Sequence, residues 1–113
     1  MRRSRLRAGD PDVSVVVPVF DEEESLPHLS AEIRDVCERE GFSFEVWFVD
    51  DGSRDRSWAV VETLHEEDPR FVGIRFRRNY GKSAALALGF QHARGRYVVT
   101  MDADLQDDPG EIP

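Results

Sequence analysis

The sequence predicts an α/β domain built on a mostly parallel sheet with helices on both faces. Two observations point there. Apolar residues switch repeatedly from the two-residue repeat of a strand to the 3.6-residue repeat of a helix, the pattern of successive βαβ units. Composition agrees: of 113 residues, 40% are hydrophobic and 34% charged, enough for one soluble domain and too few for two.

The first strand is a β-branched run, Val13-Ser14-Val15-Val16-Val17, as a strand buried on both faces requires. Leu26, Leu29, Ile33 and Val36 then recur at helical spacing, with Gly41 as the stop. Glu45 to Val49 gives a second strand. Trp58, Val61 and Leu64 line one face of a second helix, expected to open near Ser53 or Asp55. A third strand covers Phe71 to Phe76. The Ala- and Leu-rich segment from Gly81 to Ala93 is a strong helix former, with Gly95 expected as its C-terminal cap. Tyr97 to Met101 is the fourth strand. Residues 1–12 form a basic, flexible tail ahead of the folded unit at 13–113.

Composition also excludes functions. A net charge of −8 and a pI near 4.8 leave no basic face for nucleic acid. The one cysteine, Cys37, cannot form an internal disulfide, which suits a reducing compartment, and it reads as a small packed side chain. His28, His65 and His92 are isolated in sequence and take no role. The longest apolar run, Val13 to Phe20, falls far short of the ~18 residues of a membrane span. Arg2, Arg3, Arg5 and Arg7 precede no apolar segment, so the start is a solvated tail and not a secretory signal.

Ligands of open α/β sheets bind beyond the carboxyl ends of the strands, and the unusual polar clusters lie at those ends. They are Pro18 to Glu24 after strand one, Asp50-Asp51-Gly52-Ser53 after strand two, Arg77 to Ser83 after strand three, and Asp102 to Gln106 after strand four. Carboxylates crowded on one rim repel one another unless a cation binds among them. Asp102, Asp104 and Gln106, spaced by two, point to the same side of an extended chain and offer only oxygen. That set suits Mg²⁺ or Mn²⁺ and not zinc. Asp50 or Asp51 could accept the ring N–H of uracil or guanine, although Asp51 could equally serve only as a cap. Gly52-Ser53 lets the backbone come close before a helix begins. Lys82, the only lysine, stands at a helix start where a cation and free N–H groups can meet a diphosphate. Gly81-Lys82-Ser83 also suggests a P-loop NTPase, but the glycine needed five residues earlier is Phe76, so that reading stays a remote alternative.

Four segments occur in order: PVFDEEESLP at 18–27, VDDGSRD at 49–55, RNYGKSAAL at 78–86 and MDADLQDDP at 101–109. Together the chain resembles the family 2 glycosyltransferases of GT-A fold, in particular the branch of dolichol-phosphate mannose synthase and bacterial polyprenyl-phosphate glycosyltransferases. Phe20 and Asp21 stand where that branch often has Tyr and Asn. The resemblance implies a Rossmann-like, nucleotide-sugar-binding half of the fold, with Pro18, Phe20 and Glu22 on the nucleoside, Asp50 on the base and Lys82 on the phosphates. Asp102, Asp104 and Gln106 would hold the metal on the diphosphate. The implied reaction is inverting transfer from a GDP- or UDP-sugar to a polyprenyl phosphate at the cytoplasmic membrane face. An acceptor that is already anionic needs no dedicated general base, and none is found. The family's domain continues past this motif, so the chain is expected to be truncated, with the acceptor half absent. It would then act as a nucleotide-binding module, self-associate through a bare sheet edge, or rely on a partner for the missing half.

Overall fold

The computed structural model describes residues 8–103. Its elements alternate as β1 (Val13–Val19), α1 (Leu26–Glu40), β2 (Phe44–Asp50), α2 (Ser57–Glu67), β3 (Phe71–Arg75), α3 (Lys82–His92) and β4 (Tyr97–Thr100). All neighbouring strands are parallel, in the order β3-β2-β1-β4. The fold is the expected α/β arrangement, and the handedness of its connections decides where each helix lies.

From β1 the chain steps outward to β2 and then β3, so right-handed crossovers put α1 and α2 on the same face. The return from β3 past β2 and β1 to β4 runs the other way, which sends α3 to the opposite face. Packing bears this out. Val13, Val15, Val17 and Val19 of β1, with Phe44, Val46 and Phe48 of β2, share a core with Leu26, Leu29, Ile33 and Cys37 of α1 and Val61 of α2. The alternate residues face α3, where Trp47 lies 4.9 Å from the His92 ring and Gly89 abuts Val16. Phe71 anchors the first layer, edge-on to Phe44 at 5.9 Å and stacked on Phe48 at 6.1 Å. Each such buried side chain contributes about 1.5–3 kcal/mol. Cys37 is fully buried, and burial raises its thiol pKa.

Three local features differ from the sequence expectation, each for a visible reason. α2 opens at Ser57, because the Asp55 carboxylate accepts the Ser57 N–H (2.8 Å), while the Ser53 N–H is held by Asp50 (2.8 Å). Gly95 does not cap α3, which ends at His92 with Ala93 already extended. Gly95 is needed instead because any Cβ there would lie 2.6 Å from the Ser14 nitrogen. Glu45, read as part of an apolar strand, is buried on the α3 side of the sheet. Its carboxylate accepts the Ser14 hydroxyl (2.6 Å) and the Arg94 N–H (2.8 Å), and Ser14 in turn accepts the Gly95 N–H (2.7 Å). This polar cluster pins the α3–β4 turn beneath β1 and β2. Gly41, by contrast, ends α1 as expected, left-handed at φ 75°, with Phe42 N–H returning to the Cys37 carbonyl at 2.8 Å.

Pro11 and Asp12 are hydrogen-bonded into the sheet ahead of β1: Arg96 N–H reaches the Pro11 carbonyl and Tyr97 N–H the Asp12 carbonyl. Among the described residues no helix is long and apolar enough to cross a membrane.

Candidate functional site

The chain reverses its direction across the sheet between β1 and β4. The carboxyl ends of these two strands therefore diverge into connections on opposite faces, and that divergence opens a crevice. A cleft of about 350 Å³ lies there. Pro18, Phe20 and Glu22 reach it from the end of β1, Asp51 from the end of β2, Lys82 from the start of α3 and Asp102 from just beyond β4. Six of the residues singled out in the sequence are thus brought to one cavity. Asp50 is not on its wall, and Asp104 and Gln106 lie outside the described residues.

Lys82 and Asp102 meet directly, Nζ to Oδ1 at 2.6 Å, with both side chains partly open to solvent. The ammonium occupies the space beside a carboxylate that an incoming cation would otherwise take. No side chain caps α3, whose first N–H groups sit beside Lys82 at the cleft.

Asp50 and Asp51 are neighbours with different surroundings. Asp51 is 5% exposed and accepts the backbone N–H groups of Tyr80 (2.7 Å) and Gly81 (3.0 Å), so it ties the β3–α3 connection to the end of β2. Asp50 is fully buried; one of its oxygens accepts the Ser53 N–H, and Oδ2 has no hydrogen-bond partner among the described residues. Gly52 makes this geometry possible. Its φ is +77°, and a Cβ would lie 2.5 Å from the Arg78 carbonyl carbon, against backbone that cannot rotate away.

The β1–α1 turn is clamped to the β2–α2 turn. Asp21 takes a left-handed φ of 54°, which Asp tolerates better than most residues. Its N–H donates to the Ser53 hydroxyl (2.9 Å), and its carboxylate accepts the Arg54 N–H (2.7 Å) and the Arg54 guanidinium (3.1 Å). The Arg54 backbone N–H above all holds the Asp21 carboxyl below its ordinary pKa. Ser57 extends the clamp by accepting the Glu22 N–H at 2.8 Å, and Arg54 lies 5.4 Å from the centre of the Phe20 ring.

Sequence reasoning passed over Ser25. It occupies the N-cap of α1 without capping it, and its hydroxyl donates instead to the Ala103 carbonyl at 2.5 Å. The residue after Asp102 is thereby tied to the start of α1. Asp21 and Ser53 were likewise legible only as a turn and a cap; a polar residue ahead of a helix that starts later than expected is the signal for such a cross-link.

Phe76, where a P-loop needs glycine, donates its N–H to the Asp50 carbonyl (2.9 Å) and packs edge-on to Tyr80 at 5.4 Å. Phe76 is therefore tied to the end of β2 at the position where a phosphate cradle would need glycine. The model of glycosyl transferase family 2 matches residues 14–113. The chain belongs to that family.

Its similarity to curated members is close but partial. It is 48% identical over 102 residues to the undecaprenyl-phosphate 4-deoxy-4-formamido-L-arabinose transferase of Pseudomonas paraeruginosa, covering 89% of this chain and 30% of that protein. The enzyme of the same name from Pseudomonas fluorescens Pf-5 is 46% identical over the same share. The chain thus spans about 30% of the length of these relatives. Among solved structures, the mannosyltransferase PcManGT of Pyrobaculum calidifontis, in complex with GDP-Man and Mn²⁺, aligns with a TM-score of 0.62 at 28% identity, over 86% of this chain and 28% of that one. S. aureus TarS 1-349 with UDP-GlcNAc aligns with a TM-score of 0.64 at 26% identity, over 82% and 26%. The fold of this family 2 member is therefore the Rossmann-like part of a GT-A glycosyltransferase.

Proposed function

We propose that this chain binds the donor in a metal-dependent, inverting transfer of a sugar from a GDP- or UDP-sugar to a polyprenyl phosphate at the cytoplasmic face of a membrane. The Lys82–Asp102 pair in the cleft at the topological switch point carries the reading. It juxtaposes a cation suited to a diphosphate with a carboxylate suited to a metal. The names of the curated relatives support the acceptor class, and the GDP-Man and UDP-GlcNAc complexes of the structural relatives support the donor class.

In this reading Phe20 offers its ring to the base, with Arg54 on the ring as a backing cation. Pro18 and Glu22 complete the nucleoside wall. Asp50 supplies an acceptor for a base N–H, which uracil and guanine carry and adenine lacks. Lys82 leaves Asp102 for the diphosphate, joined there by the uncapped N–H groups of α3. Asp102, already holding a cation at 2.6 Å, fits a hard divalent ion, with Asp104 and Gln106 as its further oxygen ligands. Mg²⁺ or Mn²⁺ bound there would neutralise charge developing on the departing nucleoside diphosphate. The nucleophile is the acceptor's phosphate oxygen, so no proton need be removed from it. Tyr97, 66% exposed on edge strand β4, marks the open side through which a second copy or a partner would pair.

Calorimetric titration of the folded chain with GDP, UDP and ADP, each with and without Mn²⁺, tests the proposal. Metal-dependent binding of GDP or UDP that disappears in Asp102→Ala is the expected result. Preference for ADP, or no binding by a chain shown to be folded, would overturn it.

A further inference from the structure

Half of the described arginines have an acid to face. Arg34, Arg39, Arg54, Arg70 and Arg94 all form ion pairs, as does Lys82. Arg75, Arg77 and Arg78 form none among the described residues, although they fall within four positions of one another and all three are exposed. In a chain of net charge −8 that is a local excess of positive charge with no acidic partner among the described residues, although Arg75 lies 5.7 Å from the centre of the Trp58 ring. Asn79 and Tyr80 continue the exposed stretch, and Tyr80 is 56% accessible. The Arg78 Nε donates to the Tyr80 hydroxyl at 3.1 Å, so the pair presents one basic and aromatic unit.

This stretch is held in place. Asp51 grips its end through the N–H groups of Tyr80 and Gly81, and Gly52 lies directly against the Arg78–Asn79 backbone. Its position on the molecule matters as much as its charge. The β3–α3 connection leaves the carboxyl rim of the sheet, the same rim that bears the cleft, yet none of Arg75, Arg77 or Arg78 lines that cleft.

We propose that the 75–80 segment is a membrane-docking surface that meets the anionic headgroups of a bilayer and presents the cleft rim to the lipid. The inference rests on the lipid-acceptor reading above. A phosphate anchored in a bilayer can reach the cleft only if this rim faces the membrane. Arginine supplies attraction to anionic headgroups, and a tyrosine with one apolar and one polar end suits the interfacial layer.

Vesicle flotation of the full chain without nucleotide tests this surface separately from the cleft, since donor binding is read by titration without lipid. The chain is expected to bind phosphatidylglycerol–phosphatidylcholine vesicles, to ignore phosphatidylcholine alone, and to be released by salt. Arg77→Gln with Arg78→Gln should weaken binding about 30-fold, from roughly a fivefold loss per arginine near the surface, while leaving GDP or UDP titration unchanged. Arg96→Gln is the control: Arg96 is an exposed arginine at the opposite end of the sheet and also outside the ion pairs. Equal loss in that control would refute the assignment. So would binding that survives the double variant and disappears when Arg2, Arg3, Arg5 and Arg7 are replaced by Gln, which would move the contact to the N-terminal tail. No binding to either vesicle also overturns it, and leaves the donor-site reading to stand or fall on its own titration.

Discussion

Gly52→Ala isolates the contact that ties the β2–α2 turn to the β3–α3 connection. The substitution adds one methyl group at φ +77°, where it would lie 2.5 Å from the Arg78 carbonyl carbon, 2.7 Å from the Asn79 nitrogen and 2.9 Å from the Arg78 Cα. All three are backbone atoms, so no rotamer change relieves the clash. A left-handed conformation costs a non-glycine residue roughly 1–2 kcal/mol. Overpacking against a fixed neighbour adds about 1–3 kcal/mol. A stiffer unfolded chain returns about 0.4–1 kcal/mol at most. The net cost, about 1–5 kcal/mol by these terms, is a sizeable part of the 5–15 kcal/mol that ordinarily holds a domain together.

Gly41→Ala supplies the internal reference. Gly41 has nearly the same φ, +75°, but nothing lies within 4 Å of its would-be Cβ, so it carries the conformational cost alone. Urea unfolding followed by the fluorescence of Trp47 and Trp58 gives both values, and the difference between the variants measures the close approach. If Gly52→Ala and Gly41→Ala unfold at the same urea concentration, the contact with the β3–α3 connection carries no energy and the argument fails.

Lys82→Gln is expected to weaken GDP or UDP binding at least tenfold, from the loss of one charge-assisted contact of about 1.5–3 kcal/mol, while strengthening Mn²⁺ binding without nucleotide because Asp102 loses its ion-pair partner. Calorimetry on both ligands checks this, and weaker Mn²⁺ binding would contradict it. Glu45→Ala should cost about 2–4 kcal/mol in urea, since the Arg94 N–H and the Ser14 hydroxyl lose their acceptor, whereas Glu45→Gln, which keeps one acceptor, should cost less. Equal effects of the two would deny the hydrogen-bonding role. The Arg70 guanidinium beside Asp68 holds that carboxyl below its ordinary value, and Asp21 and Asp55 are lowered as well. In Asp55, burial opposes the shift and is outweighed by hydrogen bonds to Ser57 and neighbouring backbone. A group with a depressed folded pKa adds stability that is complete above its unfolded value, about 3.9 for Asp, and is lost as pH falls through the folded one. Stability should therefore decline below about pH 4, less steeply in Asp68→Asn; a flat profile there would count against the pairing.

Much of this arrangement was legible because it rests on period and punctuation. The two-residue repeat of Val13, Val15 and Val17 against the helical spacing of Leu26, Leu29 and Ile33 defines both layers of one core, and Gly41 marks the first helix end. The gathering of Pro18, Phe20, Glu22, Asp51, Lys82 and Asp102 followed from the rule that strand ends hold the ligand. What escaped was long-range side-chain chemistry. Ser53 sits where a helix cap is expected, but the hydrogen bond it makes is to Asp21, thirty-two residues earlier. Glu45 was legible only as the first residue of a strand, because Ser14 and Arg94, its partners, are thirty-one and forty-nine residues away. Gly95 looked like a helix stop because nothing local reveals that Ser14 will pass beneath it. Propensity reports what a residue does to its own turn and is silent about the strand it will meet.

The two adjacent aspartates show how far geometry can separate what a motif presents as one. Side chains at successive extended positions point to opposite faces, so Asp50 and Asp51 cannot serve the same partner. Asp51 accepts two backbone N–H groups and thereby holds the connection that carries Lys82. Asp50 makes one hydrogen bond with one oxygen and leaves the other buried without a donor among the described residues, an arrangement that ordinarily costs about 1–3 kcal/mol. A stability requirement alone would replace such an acid or give it a second donor. An acceptor with no partner among the described residues, beside a turn already tied down by Gly52 and Ser53, is what a base N–H would need on arrival, and in the proposed function that unsatisfied oxygen is the most economical reason for the first aspartate of the pair.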